Sequence, residues 1–144
     1  MTAAEAIGRL ARLRLEKADR ALRASRNLLR DGLYEDSTSR SYYAMFHAVS
    51  ALLLTKGLST SKHKGAISLF DLHFIKPRVL DPELSIWIHD AFKARQEADY
   101  GEEALDPRAA AETTLVHAEA LLERVRPVLA QQLEELSNQG PSDS

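Results

Sequence analysis

Residues 36–57, DSTSRSYYAMFHAVSALLLTKG, decide the fold of this 144-residue chain. Their second half, residues 48–54, is apolar except for Ser50, which is typical of a helix buried in a protein core. The first half instead concentrates aromatic and polar side chains, namely Arg40, Tyr42, Tyr43, Phe46 and His47. We therefore predict a central helix that forms core at one end, carries polar chemistry at the other and ends at Gly57.

Four further segments show helical periodicity and flank the central helix. Capping residues, glycines and prolines predict bounds of about 2–30, 59–74, 81–100 and 106–136. Asp36 or Ser37 is expected to cap the central helix, and Pro127 is expected to kink or shorten the last one. The sequence therefore predicts one all-α domain over residues 1–136, an antiparallel bundle of four to five helices, with a disordered tail over residues 137–144.

The composition excludes several classes of protein. The chain has no cysteine, so disulfides and thiolate metal sites are excluded and a reducing compartment is expected. The longest nearly apolar run, residues 48–54, is far shorter than the roughly 20 residues that span a bilayer. The N-terminus lacks the apolar segment of a signal peptide. We therefore expect a cytoplasmic protein with no membrane partner.

Charge is unevenly distributed along the chain, although the net charge is only −2. Residues 1–30 hold eight basic and three acidic side chains, a net charge of +5, whereas residues 97–144 hold three and eleven, a net charge of −8. This asymmetry predicts either a basic face that meets phosphates or, more often, first and last helices that lie side by side and attract each other.

Motifs of metal and cofactor chemistry are missing from the sequence. Neither Glu-x-x-His nor His-x-x-x-His occurs, and there is no P-loop, dinucleotide fingerprint or nucleophile elbow. The prediction is therefore that the protein uses no metal and no cofactor.

Arg40 and His47 form the first candidate site. Because they are seven residues apart on a helix, they share a face to within about 20° and lie about 10.5 Å apart along the axis. Tyr43 lies between them on that face. His47 could transfer a proton in metal-independent RNA cleavage while Arg40 holds the phosphate. Taken alone, however, such a histidine is more often hydrogen-bonded to its neighbours in the core.

The second candidate is residues 95–100, RQEADY, at the end of the fourth helix. Arg95 and Asp99 are spaced for an i,i+4 ion pair. A carboxylate at the C-terminal end of a helix is disfavoured by the dipole, so Asp99 is expected to have another partner, such as a backbone amide or a side chain of the central helix. Tyr100 follows. A buttress for the next loop and a functional role are equally compatible with this pattern.

His63 is the third candidate, because it stands between Lys62 and Lys64 at the start of a helix. Free backbone N–H groups and basic side chains at such a position favour anions. A residue of the capping region without a ligand is the more frequent case.

Three stretches together resemble the HEPN domains of the UPF0332 type. They are SRSYYAMFHAVSALLL (39–54), SKHKGAISLF (61–70) and ARQEADYG (94–101), followed by a long Ala-rich helix, and the resemblance covers about residues 5–130. It implies a helical bundle that pairs into a homodimer and is linked to metal-independent RNA cleavage or to nucleotide binding. Many HEPN proteins are toxins paired with a small nucleotidyltransferase antitoxin of the MNT type.

The resemblance also bears on the site residues. The general HEPN motif is Arg, four to six residues, then His, which Arg40 and His47 match in spacing. In nuclease members the motif lies on a later helix near the dimer interface, where this chain has Arg95 and no following His. A third alternative is that His47 and Arg95 converge from neighbouring helices into one pocket. The hypotheses are a ribonuclease toxin, a non-catalytic module that binds a nucleotide or a nucleotidyltransferase, and a structural homodimer. The candidate catalytic residues are Arg40, His47, Arg95, Asp99 and Tyr100, and the candidate RNA- or nucleotide-binding residues are Tyr43, Lys62, His63 and Lys64.

Overall fold

The computed structural model describes residues 1–100 and 106–139, and the regular secondary structure of these residues is entirely helical. In chain order the elements are α1 (Ala3–Arg30), α2 (Tyr34–Leu54), α3 (His63–Phe70), a π-helical turn (Asp71–Ile75), α4 (Glu83–Asp99) and α5 (Pro107–Asn138). No strand occurs in the described residues. The predicted all-α bundle is therefore confirmed. The predicted end of the fourth helix at Gly101 and the tail from residue 140 lie outside the described residues.

Local signals start and stop α1 where the sequence predicts. The Thr2 hydroxyl accepts a hydrogen bond from the backbone N–H of Glu5 at 3.1 Å, which satisfies one free donor of the first turn. Beyond Arg30 the chain reverses at Gly32. Its φ of +79° lies in the left-handed region, which glycine adopts without strain. The short connection that results makes α1 and α2 an antiparallel pair.

A buried cluster of serines joins α1 to α2. The Ser25 hydroxyl lies 2.9 Å from the Ser37 hydroxyl and 2.7 Å from the Ser41 hydroxyl, and Ser37 donates to the Ser25 carbonyl at 3.0 Å. The prediction that Asp36 or Ser37 caps α2 is wrong, because α2 begins at Tyr34 and Leu33 precedes it without a side-chain cap. The Ser37 hydroxyl instead forms hydrogen bonds with Ser25, between α2 and α1.

The other helix ends differ from the predicted bounds for local reasons. α3 begins at His63, so residues 59–61 belong to the loop before it. α3 ends at Phe70, and a π-helical turn follows from Asp71 to Ile75. Pro127 does not shorten α5, which continues to Asn138 and so includes two residues of the predicted tail. Pro127 is exposed, so water can bind the carbonyl that loses its helical partner.

α2 lies at the centre of the bundle and packs against all four other α-helices. Its apolar run is buried as predicted, and each fully buried Leu, Val or Met side chain contributes roughly 1.5–3 kcal/mol relative to exposure. Facing side chains come from the later helices, chiefly Phe70, Phe74, Leu84, Ile88, Leu121, Leu122 and Val125. None of the helices in the described part of the chain is long and apolar enough to cross a membrane.

Opposite charges link the first and last helices. Arg26 of α1 pairs with Glu119 of α5 at 3.0 Å, and Arg126 of α5 pairs with Asp19 of α1. All four side chains are about half exposed, so each pair contributes at most about 1 kcal/mol and chiefly favours this register. The uneven charge of the sequence therefore serves, at least in part, to hold α1 beside α5.

Candidate functional site

Two polar regions lie on either side of α2. The first, here called the basic groove, runs between α1 and α2, has a volume of about 410 Å³ and is lined by Lys17, Arg20, Ala21, Ala24, Arg40 and His47. The second, here called the aromatic cluster, lies toward α3 and α4 and comprises Tyr42, Tyr43, Phe46, His63, Phe92 and Arg95.

Cations surround His47 in the basic groove. Lys17 and Arg20 are exposed on α1, and Arg40 is exposed on α2. Within residues 1–100 and 106–139, none of those that line the groove is acidic. The antiparallel packing of α1 on α2 brings these charges together from positions some 20 residues apart in sequence. A concave surface that carries one sign of charge attracts counter-ions, so the groove is suited to an anion.

His47 is half-buried, and its Nδ1 has no hydrogen-bond partner among the described residues. Burial, and then the charges of Lys17, Arg14, Arg40 and Arg20, lower its pKa from 6.5 to about 4. The ring is therefore neutral at neutral pH and can accept a proton. Since Nδ1 is buried, Nε2 is the nitrogen that the groove can present to a ligand.

Tyr42 and His63 form the centre of the aromatic cluster. The Tyr42 hydroxyl lies 2.7 Å from Nδ1 of His63, whose ring is 4.4 Å from that of Phe46. Burial raises the pKa of Tyr42 well above its ordinary value, whereas burial and then the charge of Arg95 lower the pKa of His63. We therefore assign Tyr42 as the donor and a neutral His63 as the acceptor of this hydrogen bond.

Arg95 lies over the tyrosine rings, and its guanidinium carbon is 5.0 Å from the centroid of Tyr43 and 5.6 Å from that of Tyr42. Its Nε lies 3.0 Å from Oδ2 of Asp99. That contact is an ion pair without hydrogen-bond geometry, so the buried Nε has no hydrogen-bond partner in the described ranges. The i,i+4 pair of the sequence prediction is present, and among the described residues no hydrogen bond or ion pair joins Asp99 to α2.

Tyr43 lies between the basic groove and the rest of the aromatic cluster. Its ring centroid lies 5.9 Å from the Arg40 guanidinium carbon, 6.3 Å from the His47 ring and 5.0 Å from the Arg95 guanidinium carbon. Neither a hydrogen bond nor an ion pair joins His47 to Arg95 within the part of the chain that the structure describes. The structure thus brings Arg40 and His47 together and separates them from Arg95 and Asp99 by one aromatic ring.

The remaining candidates are peripheral. Tyr100 is 79% exposed at the end of α4. Lys62 and Lys64 are exposed on either side of His63, and the backbone N–H of Lys62 donates to the Thr60 hydroxyl at 3.1 Å. The described residues contain no group of three His, Asp or Glu side chains placed to hold a metal ion.

Arg14 and Lys17 are two basic residues near His47 that sequence reasoning missed. Lys17 lines the groove, and the charge of Arg14 acts on His47 from outside it. They lie three residues apart on α1, so they fall on the same helical face. Nothing in their local sequence distinguishes them from the other basic residues of α1. Only the packing of α1 on α2 shows that their charges act on His47.

The comparisons with known proteins agree with this architecture. The HEPN domain family matches residues 11–133. A Methanocaldococcus jannaschii protein named "Putative toxin" is 46% identical over 86 residues, which cover 60% of this chain and 58% of that protein. A second protein of that name from the same organism is 34% identical over 115 residues, covering 80% of this chain and 85% of that protein. A UPF0332 protein of Thermotoga maritima is 40% identical over 86 residues, covering 60% and 65%.

The first and third of these matches span less than two thirds of the relative's own length. The family match, by contrast, covers most of this chain. It includes the whole of α2, α3 and α4, α1 from residue 11 and α5 up to residue 133. The chain therefore belongs to the HEPN domain family and is of the UPF0332-like type.

Proposed function

We propose that this chain is a HEPN-type toxin that cleaves RNA without a metal ion, and that the basic groove is its active site. The observation that carries the proposal is a neutral, half-buried His47 in a groove lined by Lys17, Arg20 and Arg40. The names of the Methanocaldococcus jannaschii relatives support the toxin part of the proposal.

The chemistry needs only these side chains and RNA. The cations bind a backbone phosphate and stabilise the charge that develops on it. His47 takes the proton of the neighbouring ribose 2′-hydroxyl, and the 2′-oxygen attacks the phosphorus. The bond from phosphorus to the 5′-oxygen breaks, and that oxygen receives a proton from His47 or from water. The products are a 2′,3′-cyclic phosphate and a 5′-hydroxyl end.

Binding of RNA would also change the pKa of His47. A general base is most effective when its pKa lies near the working pH, and a pKa of about 4 is low for this role. A bound phosphate would offset the charges of Lys17, Arg14 and Arg40, which contribute to that low value. Burial would still lower the pKa of His47, but the part of the shift that comes from these charges would decrease, so that the base is strengthened when RNA is present.

Arg95, Asp99 and Tyr100 act in this proposal from outside the groove. Arg95 packs on the tyrosine rings, and Asp99 fixes Arg95 by their ion pair. Arg95 is thus a positioning residue that holds Tyr43 against the groove. Exposed Tyr100, with the basic side chains of Lys62 and Lys64, would contact more distant parts of the RNA.

The proposal extends to partners. A toxin of this family is expected to form a homodimer and to be neutralised by an MNT-type nucleotidyltransferase antitoxin in the cytoplasm. Light scattering of the purified chain tests the homodimer. Co-purification with the product of a neighbouring nucleotidyltransferase gene tests the antitoxin, and a failure of the two proteins to associate would remove that part of the proposal.

Incubation of purified protein with RNA in EDTA tests the activity. The wild type should cleave RNA, and His47→Gln should lose roughly 100-fold or more of the rate. The matched control is His117→Gln, since His117 stacks on Trp87 in another part of the bundle and should leave the rate unchanged. Intact RNA after incubation with the wild type, or equal rates for wild type and His47→Gln, would refute the proposal.

A second candidate function is a non-catalytic HEPN module that binds a nucleotide. It is favoured by the same low pKa, because a base as weak as the free His47 suits binding better than proton transfer. Calorimetry with ATP and GTP separates the two functions, since tight binding without RNA cleavage supports the module. If neither occurs and Arg95→Ala only lowers the melting temperature, the aromatic cluster and the groove serve the structure of a helical scaffold.

A further inference from the structure

A second cavity lies beside the basic groove, further along α2. It has a volume of about 370 Å³ and is enclosed by α1, the second half of α2 and the loop before α3. Ser50 lines it and is one helical turn beyond His47, so the two cavities follow each other on one side of α2. Arg14 joins them, because it lines this cavity while its charge acts on His47 in the groove.

The lining of the second cavity is unlike that of the groove. Phe46 and Leu54 are half-buried and present apolar surface, while Ser50, Ser59 and Ser61 supply hydroxyls. These three hydroxyls make no hydrogen bond to another described residue, so they can pair with a ligand. Of the described residues that line the cavity, Arg14 is the one cation and none is acidic.

This combination matches the chemistry of a nucleobase. RNA bases that are unstacked from their neighbours bind proteins by stacking on aromatic rings and by hydrogen bonds along their edges. A serine hydroxyl both donates and accepts, which suits the mixed edge of any base. The His63 ring, 4.4 Å from the Phe46 ring, packs against Phe46 and so keeps it in a fixed orientation. The volume of about 370 Å³ lies within the roughly 300–1,000 Å³ of small-molecule sites.

We propose that this cavity is a base subsite, which binds one nucleobase of an RNA whose adjacent phosphate lies in the basic groove. Phe46 stacks on the base, the serine hydroxyls hydrogen-bond its edge, and Arg14 lies between base and phosphate. The proposal rests on the proposed function for the position of that phosphate, but base binding itself needs no cleavage.

Binding of 3′-nucleoside monophosphates to the full chain, measured by calorimetry, tests the subsite. Ribose phosphate, which has no base, and inorganic phosphate are the reference probes. At least one nucleotide should bind about tenfold or more tightly than ribose phosphate, as expected for one stacked base. Phe46→Leu keeps an apolar side chain and should reduce that ratio to near one.

If Phe46→Leu folds poorly, two further variants still test the base subsite. Ser59→Ala, in the exposed loop, should change the order of affinities among the four nucleotides. The matched control Arg40→Gln should weaken nucleotide and ribose phosphate equally, because it acts on the phosphate alone. Equal binding of nucleotide and ribose phosphate by the wild type, or a ratio that survives Phe46→Leu, would overturn the subsite.

The outcomes distinguish this proposal from the proposed function. A base-dependent affinity that needs Phe46, found in a protein that does not cleave RNA, would leave the subsite standing and refute the ribonuclease. Cleavage that depends on His47, with no effect of Phe46→Leu or Ser59→Ala on nucleotide affinity, would leave the ribonuclease standing and refute the subsite.

Discussion

Protonation of His47 should destabilise the fold as the pH falls below 6.5. Burial and the nearby cations lower its pKa from 6.5 to about 4, so the folded chain binds fewer protons than the unfolded chain between these values. Stability from this source is fully present above the unfolded pKa and is lost as the pH falls toward the folded pKa. Acid should therefore cost the wild type free energy that a variant without this histidine retains.

The size of the effect follows from the two pKa values. At about 1.4 kcal/mol for each pKa unit, the difference between 6.5 and about 4 corresponds to at most about 3.4 kcal/mol. About 2.5 kcal/mol of this would be lost by about pH 4.5. His47 is only half-buried, so solvent screens its charged form, and we expect a loss of about 1 kcal/mol.

Urea unfolding at about pH 7.5 and about pH 4.5 measures this loss for the wild type and for His47→Gln. Carboxylates also titrate in this interval, but they do so in both proteins and cancel in the difference. The variant should lose about 1 kcal/mol less on acidification than the wild type. His117→Gln, the same substitution in another part of the bundle, is the matched control.

One result would refute the reasoning about the groove. If the wild type and His47→Gln lose the same free energy on acidification, then neither burial nor the cations of α1 and α2 oppose the protonation of His47. The electrostatic basis of the proposed active site would then be absent, whatever the RNA assay shows.

Three further outcomes follow from the structure. Lys17→Gln should raise the pKa of His47, measured by NMR titration of the ring protons, and an unchanged value would place Lys17 outside the groove. Ser25→Ala should cost about 1–3 kcal/mol in urea unfolding, because buried hydroxyls of α2 lose their partner, and a cost near zero would contradict the serine cluster. Pro127→Ala should raise the melting temperature, since an interior proline costs a helix up to about 3 kcal/mol, and a lower value would show that Pro127 stabilises α5.

The candidate site was predicted in part, and the difference has a clear physical reason. Arg40 and His47 could be placed on one face because helical spacing is a property of neighbouring residues, and the structure has both in the basic groove. The ion pair of Arg95 with Asp99 was predicted on the same ground. That Tyr43 separates these two pairs depends on how α4 packs on α2, which no local spacing reports.

The sequence by itself determined the all-α class, the ends of α1 and the buried half of α2. The Thr2 cap, the turn at Gly32 and the apolar run act over a few residues, so they can be identified in the sequence alone. Only the tertiary structure decided which side chains share a surface. Lys17 meets His47, and Ser37 meets Ser25 instead of capping a helix, because contacts between helices join residues distant in sequence and depend on the packing of whole faces.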